Sequence, residues 1–160
     1  MPKIKSKNNT GFTLIELLIV IAILGLLATI TIISFTGAPA RARDARRKGD
    51  LRQYQASLIA FAAKYKGFYP THVSPTDLTT MCSSTELNIA NCPNDPKEGS
   101  YHYYYLSNGS TSPDATDFVV WAIFENPSSP ITYWVLCSNG INGTTTTSPD
   151  SSTCPSGLVP

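Results

Sequence analysis

A continuous apolar run near the start limits what this chain can become. From Phe12 to Phe35 the only ionisable side chain is Glu16. A bilayer core of about 30 Å is crossed by roughly 20 helical residues at about 1.5 Å each, so the run is long enough to span one. In hydrocarbon an isolated segment must satisfy its own backbone hydrogen bonds, which predicts a helix. A secretory signal has a shorter apolar core and a small-x-small site after it. Here the nearest such site is Gly37–Ala42, with no turn context around it. Lys3, Lys5 and Lys7 precede the run, and Arg41, Arg43, Arg46, Arg47 and Lys48 follow it. The positive-inside rule therefore leaves the orientation undecided or inverted.

The 160 residues leave room for one compact domain beyond the run. The formal net charge is +1 and charged residues are 14% of the chain, which gives no support for nucleic-acid binding through overall charge. Beyond about Gly67 the composition turns polar, rich in Ser, Thr, Asn, Pro and Tyr.

The residues Gly11-Phe12-Thr13-Leu14-Ile15-Glu16, after a basic leader and before the apolar run, resemble the class III signal of type IV pilins and pseudopilins. The resemblance implies that a prepilin peptidase cuts between Gly11 and Phe12 and that the new Phe12 terminus is methylated. It also implies that the leader, residues 1–11, stays cytoplasmic while the head is translocated. The expected partners are further copies of the chain, the prepilin peptidase, the assembly platform with its ATPase, and the inner membrane. The surface ligand, DNA included, is left open. After assembly the chain is expected on the cell surface.

Glu16 becomes the fifth mature residue, where the helix dipole favours a carboxylate. In a filament it is expected to neutralise the Phe12 amine of a neighbouring copy. An unpaired buried charge is penalised by several kcal/mol, so the pairing acts as a register device.

The segment 37–70 reads as an amphipathic continuation of the helix. Leu51, Tyr54, Leu58, Phe61 or Ala62, and Tyr65 recur at three- and four-residue steps. Asp44–Lys48 reads as a solvated opposite face, with contact to anionic headgroups before assembly as a second reading. The stretch also resembles that of Gram-positive-type pilins and the major pseudopilin of type II secretion. Many of these carry a proline within the span, where this chain has Ile33. Gly37 and Pro39 move any expected kink to residues 34–39. Gly67 and Tyr69-Pro70 are expected to end the helix.

The head, 71–160, contains three strand-like runs at Ser100–Ser107, Asp117–Phe124 and Ile131–Cys137. Short connections favour an antiparallel meander whose one face covers the helix stripe. The fold class is α+β: a long N-terminal helix, with its membrane or filament-core half at 12–36, packed on a small sheet.

Cys82, Cys92, Cys137 and Cys154 all lie in the head. An even count outside the cytoplasm points to two disulfides among three connectivities. Local pairs are favoured because each closes a loop lacking regular structure. The spacing lacks the C-x-x-C pairs of zinc modules. In related pilins a C-terminal disulfide bounds an exposed surface loop.

Asp114 and Asp117 are the candidate calcium ligands by resemblance to major pseudopilins, although two carboxylates are few for that ion and turn formation is the plainer reading. His72 and His102 stand in different segments, and no nucleophile motif such as G-x-S-x-G occurs. The tyrosines 101 and 103–105 read as strand composition. Asn108-Gly-Ser and Asn142-Gly-Thr match the N-x-[ST] pattern.

The expected function is that of a non-enzymatic subunit of a type IV pilus-like filament. A type II secretion pseudopilin and a single-span binding or DNA-uptake receptor are the alternatives.

Overall fold

The computed structural model describes residues 11–34, 37–83, 86–97, 99–126 and 129–160. The leader expected at 1–11 lies outside them except for Gly11. Two compact units divide at Ala38.

The first unit holds α1 (Leu14–Ser34), 21 residues with Glu16 as the acidic residue of the first turn. Among the described residues no helix is long and apolar enough to cross a membrane. The side chains described in α1 end at Thr29, so the span expected over 12–36 runs past what is described. The helix stops at Ser34, and α2 (Ala38–Lys64) starts after Gly37, whose φ is 103°. The kink expected over 34–39 falls on Phe35 and Thr36, which lie outside the described residues.

In the second unit α2 ends at Lys64, short of the expected Pro70. Lys66 takes the left-handed conformation at φ 57°, and the Gly67 N–H closes back on the Ala62 carbonyl at 2.8 Å. That six-to-one bond satisfies a carbonyl the helix end would leave bare. Tyr65 follows the helix as an exposed residue, stacked on Phe61 with ring centroids 4.2 Å apart.

Five strands follow: β1 (Thr76–Asp77), β2 (Tyr103–Ser107), β3 (Phe118–Phe124), β4 (Thr132–Cys137) and β5 (Asn142–Thr145). They pair in sequence order, and every pairing is antiparallel. A short helix, α3 (Leu78–Ser83), follows β1. The three long strand expectations lose only a few terminal residues. β1, β5 and α3 carry too few apolar residues to announce themselves.

The main core lies between α2 and one sheet face. Leu51, Tyr54 and Leu58 meet Tyr103 and Tyr105 of β2, Phe118, Val120, Ala122 and Phe124 of β3, and Trp134 and Leu136 of β4. Each fully buried Leu, Val or Phe contributes about 1.5–3 kcal/mol. The buried tyrosines satisfy their hydroxyls, which donate from Tyr54 to the Pro93 carbonyl (2.8 Å), from Tyr103 to Asp50 (2.7 Å) and from Tyr105 to the Pro70 carbonyl (2.7 Å). Burial raises all three phenol pKa values.

The opposite sheet face is buried too. Leu106, Val119, Trp121, Val135 and Cys137 form a second cluster, joined by Cys154 and Leu158 of the C-terminal segment. Gly143 permits the close approach, because a Cβ there would meet Leu158 Cβ and the Val159 carbonyl at 2.8 Å. Cys82 is bonded to Cys92 and Cys137 to Cys154. The first bridge closes the α3 segment onto the main core, and the second ties the C-terminal segment to the end of β4.

The β2–β3 loop is organised by Asp114. Its carboxylate accepts from the Thr71 hydroxyl (2.7 Å) and from the Ser110 and Thr111 backbone N–H groups (both 3.0 Å). Gly109 lies at φ 103°, and a Cβ there would strike Asp114 Oδ1. Gly109→Ala combines a left-handed backbone with that clash. It is expected to lower stability by about 1–3 kcal/mol in urea denaturation.

Candidate functional site

Thr13 stands one residue before α1 and serves as its N-cap. Its hydroxyl oxygen accepts from the Glu16 N–H at 3.3 Å. Glu16 Oε2 accepts in return from the Thr13 backbone N–H (2.9 Å) and hydroxyl (2.7 Å). This reciprocal capping box satisfies two orphan donors of the helix start. The signal is legible as T-x-x-E, whereas the sequence reading assigns Glu16 to the helix dipole and to a neighbour's amine and passes over this box. The structure places Gly11 and Phe12 just upstream of the cap, both exposed. Phe12 is 86% exposed and Leu14 83%, and Ile15, Leu17, Leu18 and Ile19 are also open to solvent.

In the head, the expectation of a solvated face over Asp44–Lys48 is corrected. Asp44 is 5% exposed and Arg47 0%. Arg47 forks onto Asp95 through Nε (2.6 Å) and Nη2 (2.8 Å), reaches Asp44 through Nη1 (2.7 Å) and pairs with Glu125 at 2.8 Å. Arg43 grips the same Glu125 with two bonds of 2.7 Å, and Lys97 adds a third cation at 3.1 Å. Asp44 also accepts the backbone N–H groups of Glu125 (2.9 Å) and Asn126 (3.0 Å).

The guanidinium of Arg47 lies 4.6 Å from the centre of the Tyr101 ring. Burial works against the charge on Arg47, but the hydrogen bonds it donates to Asp95, Asp44 and Glu125 outweigh that and raise its pKa. The bonds from Arg43 lead those that hold Glu125 down at about 2. The cluster locks the start of α2 to the β3–β4 end of the sheet and to the Asp95 loop. It is structural chemistry, with every charge answered.

The remaining sequence candidates are dispersed. Thr71 leads the donors that keep the Asp114 pKa low. Asp117 accepts from Thr116 (2.9 Å) and Ser138 (3.3 Å). The two carboxylates share no donor, and among the described residues no group of three His, Cys, Asp or Glu is placed to hold a metal. His72 contacts Glu86 at 3.1 Å and His102 contacts Asp77 at 2.8 Å, on separate segments. The Asn108 side chain is tied to Thr116 and Asp117, whereas Asn142 is exposed.

The N-terminal geometry can be set against known proteins. Residues 6–32 match the family described as "Prokaryotic N-terminal methylation motif". A stretch of 58 residues is 45% identical to the type IV major pilin protein PilA of Myxococcus xanthus (strain DK1622). Over its N-terminal segment the chain is similar to type IV pilins. That alignment covers 36% of the chain and only 26% of the relative's length. No solved structure matches the chain. The segment that matches the methylation motif contains the Thr13–Glu16 box and the exposed apolar residues Leu14 to Leu27 of α1.

Proposed function

We propose that the chain is a non-enzymatic structural subunit of a type IV pilus-like filament, held together by its N-terminal helices after the leader is removed. The observation that carries this reading is a helix whose large apolar side chains from Leu14 to Leu27 are exposed among the described residues, opened by a capped glutamate shortly after Gly11-Phe12. Such a surface stays away from water either in lipid or against like helices. Passage from one to the other changes its environment little. The first stage is the single-span anchor read from the Phe12–Phe35 run, with the head outside.

Cleavage at Gly11–Phe12 by a prepilin peptidase frees an amine four residues before Glu16, the N3 position of α1. The carboxylate of Glu16 already points back toward that end of the helix. In the filament it exchanges its Thr13 donors for the Phe12 amine of a neighbouring copy. The platform and ATPase implied by the family give the process direction.

Mass spectrometry of the native chain tests the reading. The expected product begins at a methylated Phe12 and is recovered in sheared surface filaments. A chain that keeps Met1 and remains in the membrane fraction overturns it and favours a single-span receptor.

A further inference from the structure

Beside the buried ion cluster, Arg41, Ala45 and Lys48 of α2 face Phe124 and Asn126 at the end of β3 across an open cleft. We propose that this cleft holds the phosphate of an anionic membrane phospholipid. The inference rests on the single-span anchor described above.

Three features point to an anion. Arg41 is exposed and has no acidic partner among the described residues. Lys48 has none either, and its Nζ is seated 3.9 Å from the centre of the Trp134 ring and 5.5 Å from that of Phe124. A cation held over aromatic faces is positioned while its charge stays unneutralised. The one carboxylate lining the cleft, Asp44, is already committed to Arg47 Nη1 and to the Glu125 and Asn126 N–H groups. The cleft therefore offers two free cations, an aromatic wall and a side-chain amide.

Chain length selects the source of the anion. Three residue steps lead from Phe35 to Ala38, and three helical steps lead on to Arg41. These keep Arg41 within roughly 15 Å of the end of the apolar run in any conformation. A span seated in the bilayer thus brings the cleft within reach of the headgroup layer, where basic residues are drawn to anionic lipid. Lys64 and Lys66, at the other end of α2, are too far along the chain to share this constraint.

The test uses the full chain reconstituted into phosphatidylcholine vesicles, with and without phosphatidylglycerol. Lysines are acetylated and mapped by mass spectrometry, with Lys64 and Lys66 as internal references. With phosphatidylglycerol, labelling of Lys48 relative to Lys64 is expected to fall about fivefold. Arg41→Gln is expected to restore most of it. An unchanged ratio in vesicle-bound chain overturns the proposal and leaves the anchor intact. Equal protection by free inorganic phosphate in neutral vesicles assigns the cleft to a soluble anion and overturns the lipid. Duplex DNA protecting Lys48, Lys64 and Lys66 alike also overturns it, in favour of a general polyanion surface. A chain that floats with neither vesicle type removes the anchor and this proposal together.

Discussion

Arg47→Ala is expected to lower the stability of the head by about 3–5 kcal/mol, the range for removing one partner of a buried ion pair. Asp95, Asp44 and Glu125 would lose a guanidinium that contacts all three at 2.6–2.8 Å. A domain of ordinary stability, about 5–15 kcal/mol, has little margin for that. Arg47→Lys keeps the charge but loses the two-pronged grip on Asp95, so an intermediate loss is expected. Urea denaturation of the detergent-solubilised chain, followed by near-ultraviolet circular dichroism, measures both. A loss below about 1 kcal/mol for the alanine variant would show that the cluster adds nothing beyond a surface ion pair.

The same cluster sets an acid limit. The folded pKa of Glu125 is depressed to about 2 from an ordinary 4.5. Its stabilising effect is complete above that ordinary value and is lost as pH falls from about 4.5 towards 2.

Glu16→Ala is expected to leave membrane insertion and leader cleavage intact while reducing filament recovery at least about tenfold. In the proposed filament the variant strands a Phe12 amine away from water, and about 1.4 kcal/mol already corresponds to a factor of ten. The capping box supplies the control. Thr13→Val removes a cap worth about 0.5–2 kcal/mol but keeps the carboxylate. It is expected to fray the helix start and assemble better than Glu16→Ala. Sheared-filament yield, normalised to processed subunit in the membrane, separates the two. Wild-type yield from Glu16→Ala would refute the pairing.

The core was legible where a regular period met apolar residues. Leu51, Tyr54 and Leu58 announced the buried stripe, and the aromatic and β-branched content of β2, β3 and β4 announced the strands. The ion cluster was hidden by the same rule. Continuing the 51–54–58 spacing backwards lands on residues 47 and 44, so Arg47 and Asp44 lie on the buried face. Residue type argued for solvent and position argued for the core. The deciding partners, Asp95 and Glu125, are supplied by segments far along the chain, which no local pattern reveals. The second sheet face was missed for a similar reason: its cover is a short polar C-terminal segment with few apolar anchors, Leu158 among them.

That segment also governs what the head can do to its neighbours. Thr144 of β5 exchanges two backbone hydrogen bonds with Val159, at 2.7 and 3.0 Å. The far side of the sheet ends in β1, only two residues long. Exposed strand margins are templates for uncontrolled pairing, and short or covered ones suppress it. In the proposed filament, heads built this way can be crowded along a fibre without zipping together through their sheets, which would leave cohesion to the helices.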